Sequence, residues 1–281
     1  MSKLRTVKKT VKGKSAVDGA GVHLVRVFGY NDTADFDPFL MLDAFDSENP
    51  DDYTAGFPSH PHRGIETVTY LISGDIEHMD SLGNKGSIQD GDCQWMTAGS
   101  GIIHQEMPKA SRRMLGAQLW LNLPAKDKMT APAYGDISRE DIPVIEDGQS
   151  RVHVIAGSYK GTKGAFEGSY IKPSYFDVEI EPGGEWSVDT DSGSTVFLYI
   201  IQGSGIFEPA GGTLYPEKQA VLFNEGDRLW VKASEAGMRF LLLSARPLKE
   251  PIAWGGPIVM NTKEELDRAF RELDSNTFIK K

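Results

Sequence analysis

The chain has 281 residues, 40% hydrophobic and 25% charged, with a formal net charge of −10, a size that suits one large or two medium globular domains with real cores. The acidic balance argues against direct binding of nucleic acid, which calls for a basic face. No apolar run approaches the ~18 residues that a membrane-spanning helix requires.

The first fifteen residues hold no apolar stretch of the secretory-signal type. Within them, Lys3, Arg5, Lys8, Lys9, Lys12 and Lys14 alternate with Leu4 and Val7, which reads as a solvated edge strand. Strand signals then follow at Val22–Phe28, Glu66–Ile72, Gln94–Thr97, Gly116–Leu121 and Val152–Ala156. Further signals lie at Tyr175–Ile180, Thr195–Ile201, Gln219–Phe223 and Arg239–Ser244. Each run is rich in β-branched or aromatic residues and is bounded by Gly, Pro, Asp or Asn. The spacing suggests all-β sandwiches or barrels rather than βαβ units.

A weak repeat organises these strands. Tyr70-Leu71-Ile72-Ser73-Gly74 resembles Tyr199-Ile200-Ile201-Gln202-Gly203, and Gly91-Asp92-Cys93-Gln94-Trp95 resembles Gly226-Asp227-Arg228-Leu229-Trp230. The similar offsets argue for two related β domains. The Pro/Gly/Asp-rich stretch Pro132–Gly148 is the natural boundary, giving residues 1–135 and 136–281. Near the end, Thr262-Lys263-Glu264-Glu265 is a capping-box pattern. Leu266, Ala269, Phe270 and Leu273 then form one apolar stripe of a helix that packs on a sheet or across the domain junction.

Cys93 is the only cysteine, so no intrachain disulfide can form. A reducing compartment is expected: the cytoplasm, or the nucleus in a eukaryote. Its apolar neighbours, Gln94 excepted, mark Cys93 as a buried small hydrophobe rather than a redox sensor.

The chemistry concentrates in the histidines. There are six: His23, His60, His62, His78, His104 and His153. Three fall into two short motifs, His60-Pro61-His62-Arg63-Gly64-Ile65-Glu66 and His104-Gln105-Glu106. Side chains i and i+2 share one face of a strand. His60 and His62 therefore point one way, as do His104 and Glu106, and two such strands in one barrel would bring four ligands together. Imidazole and carboxylate suit Fe, Mn, Co, Ni, Cu or Zn. Pro61 favours an extended backbone at His60, and Gly99-Ser100-Gly101 permits a tight turn ahead of His104. His23, His78 and His153 read as packed or solvated side chains. By strict alternation Glu66 also shares the face of His60 and His62, so spacing alone does not choose between Glu66 and Glu106; a bulge at Gly64 would turn Glu66 away. Phe57, Trp95 and Met96 fit a pocket lining and a core equally well.

At these motifs the sequence resembles the pirin family, a bicupin branch of the cupin superfamily. The resemblance is carried by His60 to Val68, Gly91 to Pro108, Gln118-Leu119-Trp120-Leu121-Asn122-Leu123-Pro124, and Glu250-Pro251-Ile252-Ala253-Trp254-Gly255-Gly256-Pro257 with Ile258 to Thr262. It covers almost the whole chain. It implies two stacked cupin barrels with a short C-terminal helix. It also implies iron, Fe(II), in the N-terminal barrel on His60, His62, His104 and Glu106, which selects Glu106 over Glu66. The C-terminal half carries no such motif, and the resemblance implies a metal-free barrel there.

Two functions follow from the resemblance. One is a quercetin 2,3-dioxygenase: a flavonol-like aromatic substrate and O2 meet at the metal, and Glu106 takes the substrate's hydroxyl proton. The other is a redox-sensitive iron protein that binds protein partners such as transcription factors. A metal-dependent isomerase or a sugar-binding cupin is a third reading, which the whole-chain resemblance disfavours.

Overall fold

The computed structural model describes residues 2–280. Strands dominate it, and they form two compact units. One unit holds residues 14–139 with 248–280, and the other holds residues 2–13 with 140–247. The sequence-based split at 135/136 assumes contiguous segments, whereas both chain ends join the opposite unit. The reason is pairing. Val7–Lys12 adds antiparallel to Gln219–Phe223, and Ile258 and Val259, which precede the C-terminal helix, bridge to the backbone of Arg63.

The unit bearing the histidine motifs has two main antiparallel sheets. The larger runs, in spatial order, Ala133–Ile137, Cys93–Thr97, Ile65–Ser73, Met114–Asn122, Phe39–Ser47, Val22–Phe28 and Lys14–Asp18. The smaller runs Phe57–His62, Ile102–Pro108, Ile76–Asp80 and Lys85–Ile88. Hydrogen bonds from Thr69, Gln94 and Gln118 of the larger sheet to Glu106 of the smaller show that the two sheets face each other.

In the other unit the main sheet is built around the 18-residue strand Arg228–Ala245. Its inner face is apolar, with Val152, Phe176, Trp186, Leu198, Val221 and Phe240 in one cluster. Burial of such side chains contributes about 1.5–3 kcal/mol each.

All nine predicted strands are present: two match end to end, five run one to three residues longer, and Thr195–Ile201 and Arg239–Ser244 are parts of the longer strands Thr195–Ile206 and Arg228–Ala245. The first repeat is topologically sound. Tyr70 and Tyr199 lie on strands flanked in the same order, by 93–97 and 114–122 in one unit and by 219–223 and 228–245 in the other. The second repeat is not. Cys93–Thr97 pairs with the strand of Tyr70 along its length, whereas Gly226-Asp227 leads into the first part of Arg228–Ala245, where residues 228–232 pair with Glu185–Asp189 and it is the later part that runs along the strand of Tyr199. The counterpart of Cys93–Thr97 is Gln219–Phe223.

The basic N-terminal strand does lie at a sheet edge, with its lysines outward. Arg5 departs from that solvated reading. It is buried and donates to Thr190 Oγ1 and to the carbonyls of Asn224 and Asp191. The helix Lys263–Asp274 begins at the expected cap, with Thr262 Oγ1 accepting from Glu265 N–H and Glu265 accepting from Thr262 N–H. Ala269 is its fully buried stripe residue, while Phe270 is partly exposed. A further short helix, Thr33–Phe36, was not signalled by periodicity because one turn carries none. No helix among the described residues is long and apolar enough to cross a membrane.

Candidate metal centre

Antiparallel register brings the two motifs together. His104 pairs with His60, and Ile102 with His62. Directly opposed residues share a face, so His104 joins the face that His60 and His62 hold by alternation. The ligand atoms of His60, His62 and His104 lie within 4.8 Å of one another. The ring centroids are 4.8, 4.4 and 5.1 Å apart. His62 and His104 are buried and His60 is partly exposed, so the cluster is open on the His60 side.

The hydrogen-bond pattern fits a bound cation. His60 Nδ1 lies 2.8 Å from the Pro58 carbonyl and His62 Nδ1 lies 3.0 Å from the Pro257 carbonyl. A carbonyl can only accept, so each Nδ1 carries the proton and each Nε2 presents a lone pair. Those two Nε2 atoms face each other at 3.1 Å. Two lone pairs at that distance need a cation or a proton between them. Burial, reinforced by His60, pulls the pKa of His62 down to about 3, which disfavours a proton on His62. His104 is likewise held neutral, first by burial and then by His62 and His60. Neither of its buried ring nitrogens has a hydrogen-bond partner. Such orphaned nitrogens are costly unless something coordinates them. Imidazoles whose far nitrogen is pinned by a carbonyl are the usual outer-shell arrangement of metal-binding histidines.

Glu106 sits apart from this trio. It follows a register shift after His104, opposes Phe57 on one side and His78 on the other, and is buried. Its Oε1 accepts from Thr69 Oγ1 at 3.2 Å and Gln94 Nε2 at 3.3 Å, and its Oε2 accepts from Gln118 Nε2 at 2.7 Å. Three donors aimed at one carboxyl fix its orientation. The trio within 4.8 Å does not include Glu106.

Glu66 is on the other side of the larger sheet. Thr69, Gln94 and Gln118 mark the face that looks onto the site. Glu66, Thr97 and Leu121 form one cross-strand row, each three residues from a member of that set. An odd step along a strand changes face. The alternation that links Glu66 to His62 is broken at Gly64, which has φ +76° and separates two strands of different sheets. Glu66 Oε1 accepts from Thr97 Oγ1 at 2.7 Å, and burial raises its carboxyl to about 7.

The remaining histidines divide. His23 is exposed, and His153 lies 3.5 Å from Glu179 in the other unit. His78 is fully buried beside the site. It stacks on Tyr134 at 4.1 Å, stands 5.5 Å from His104, donates from Nε2 to Asp80 and receives Gln94 Nε2 on Nδ1. Gln94 thus bridges His78 and Glu106. Sequence reasoning passed over His78 as a packed side chain. The alternation His78-Met79-Asp80 on a strand beside His104 was the available signal. Trp120 lies in a stretch that carries the resemblance but draws no role from the sequence; its ring lies 4.8 Å from His62 and 5.8 Å from Trp254. Met96 belongs to the apolar cluster with Trp120. Trp95 shares the opposite face with Glu66, and Phe57 packs in a separate cluster. Cys93 is fully buried, and burial pushes its thiol far up.

Comparison with known proteins decides the family. The pirin model matches residues 21–121, and the model for the pirin C-terminal cupin domain matches residues 175–279. The chain belongs to the pirin family. A Pseudomonas aeruginosa protein named "Putative quercetin 2,3-dioxygenase" is 45% identical over 278 residues, 97% of each chain. A pirin-like protein of Caulobacter vibrioides is 42% identical, covering 98% of this pirin and 99% of its own length. Among solved structures, a quercetin 2,3-dioxygenase from Acinetobacter baumannii superposes with TM-score 0.88 at 32% identity over 98% of both chains. The two cupin domains of the pirin fold are therefore present here.

Proposed function

We propose that this pirin binds divalent iron through His60, His62, His104 and Glu106 and acts as a dioxygenase of the quercetin 2,3-dioxygenase type on a flavonol-like substrate. The observation that carries the reading is the inward-facing pair of Nε2 lone pairs at 3.1 Å beside an orphaned, buried His104. The names of the Pseudomonas and Acinetobacter relatives support the choice of reaction.

Bound iron would supply Lewis acidity and redox chemistry toward O2. The chain's own residues supply the rest. The carbonyls of Pro58 and Pro257 fix two imidazoles in the tautomer that leaves Nε2 free. Gln94, Gln118 and Thr69 orient Glu106, so that it can accept the proton of a substrate hydroxyl. Trp120 and Met96 give the inner wall an apolar surface suited to a planar aromatic ring.

Metal analysis of the purified protein, followed by an oxygen electrode with quercetin and detection of released carbon monoxide, tests this reading. Iron-loaded protein should consume O2 in proportion to flavonol. An iron-loaded sample that turns over no flavonol would sink it. If partner affinity then tracked Fe(II) against Fe(III), the redox-switch function would take its place.

A further inference from the structure

The residues behind the ligand turns point to a role for the C-terminal segment. Arg63 follows His62 directly and is only 2% exposed. Its guanidinium donates to three separate stretches of chain: Nε to the Ser100 carbonyl at 2.7 Å, Nη1 to Glu272 Oε2 at 2.7 Å, and Nη2 to the Phe278 carbonyl at 2.8 Å. Its Cζ lies 4.1 Å over the Phe278 ring. Ser100 belongs to the turn that leads into the strand of His104 and Glu106. Glu272 and Phe278 belong to the helix Lys263–Asp274 and the tail after it.

Three further contacts tie the same segment to the same turns. The Pro257 carbonyl pins His62 Nδ1. Val259 N–H donates to the Arg63 carbonyl at 3.1 Å. Lys128, buried, donates at once to the carbonyls of Gly64 and Val259 and to Asn122 Oδ1. The fit leaves no slack: a Cβ on Gly64 would stand 2.0 Å from the Val259 oxygen, and one on Gly101 would stand 3.0 Å from Phe278.

We propose that residues 257–278 act as a latch that holds both ligand-bearing turns in register, with Arg63 as its central positioning residue and Glu272 as its catch. A buried guanidinium suits this task because its planar fork reaches three acceptors in fixed directions. The two histidine motifs lie 42 positions apart in sequence, and through Arg63 the first is bonded to the turn that feeds the second. Rigid support of this kind keeps ligands near productive geometry. The inference rests on the reading of the histidines as metal ligands. Its effect on backbone mobility is separate from that reading.

The test uses the full-length protein with Glu272→Gln, Arg63→Met and Arg63→Lys. In the metal-free state, hydrogen exchange should accelerate at least tenfold at amides of residues 60–64 and 99–104 in Glu272→Gln and Arg63→Met, while the strands of the other unit stay unchanged. Cobalt(II) affinity should fall 10- to 100-fold, as for lost outer-shell partners of metal-binding histidines. The visible ligand-field spectrum of cobalt(II) should also change, with partial recovery in Arg63→Lys. Should Arg63→Met fail to fold, Glu272→Gln decides the matter. Unchanged exchange in both turns would overturn the latch. Accelerated exchange in a protein that binds no cobalt(II) even as wild type would uphold the latch and overturn the metal reading instead.

Discussion

Replacing Glu66 by Gln separates the two carboxylates of the histidine motifs. Glu66 is buried, and its carboxyl titrates at about 7 rather than 4.5 in the fold, because burial penalises the charged form more than the bond from Thr97 stabilises it. That difference corresponds to roughly 3 kcal/mol, at about 1.4 kcal/mol per tenfold change in proton affinity. The sign follows from the direction. A folded-state pKa above the unfolded one stabilises the fold fully below 4.5, and this contribution is lost as pH rises through about 7. Gln cannot ionise and is close in shape. The variant should therefore match wild type near pH 4 and gain up to ~3 kcal/mol above pH 8. For a unit of this size that is a rise in melting temperature of several degrees. Melting curves followed by circular dichroism from pH 4 to 9 would show the two proteins diverging between pH 4.5 and 7. Metal affinity should be unchanged, since Glu66 faces away from the histidines. Parallel curves across that range, or loss of metal binding in Glu66→Gln, would refute the assignment.

Other variants probe the site and its supports. His60→Ala and His104→Ala should each lower metal occupancy below one tenth of wild type by elemental analysis; full occupancy in both would remove the basis of the metal centre. Gln118→Leu strips Glu106 Oε2 of its 2.7 Å donor, a bond to a charged group worth about 1.5–3 kcal/mol, and should lower both denaturant midpoint and flavonol turnover. Gly64→Ala places a Cβ against the Val259 oxygen at a φ of +76°, and should cost more than about 2 kcal/mol in urea unfolding. Thr262→Ala removes the cap of the C-terminal helix and should cost about 1 kcal/mol.

Much of this was legible in the sequence where local patterns decide. The strands announced themselves through β-branched runs, the helix through its capping box, and His60, His62 and His104 through i,i+2 spacing. The legible features share one property: each depends on neighbours within a few residues. The failures came where pairing at long range decides. Val7–Lys12 joins a strand more than 200 residues away, so no local boundary could assign it. The Gly-Asp repeat matched in letters but not in topology, because two-residue turn chemistry recurs wherever a strand begins. Arg5 read as a solvated charge and Arg63 carried no reading beyond its motif, yet each is buried against carbonyls that only the tertiary fold supplies.

Glu66 and Glu106 show the same limit at the heart of the site. Period-two reasoning is sound only within one unbroken strand. Gly64, in a left-handed conformation, ends one strand and starts another in the facing sheet. That single break sends Glu66 to the far side, whereas His104-Gln105-Glu106 lies within one strand and keeps its face. Glu106 is thereby left as the one carboxylate of the two motifs on the histidine side, and the three donors around it come from the opposite sheet. The donor set explains why two glutamines and a threonine line the buried wall that faces the histidines: their bonds to the shared carboxyl help satisfy groups that are costly to bury unpaired. A carboxylate held this firmly has its direction fixed before any substrate arrives, which suits the proton acceptor proposed here.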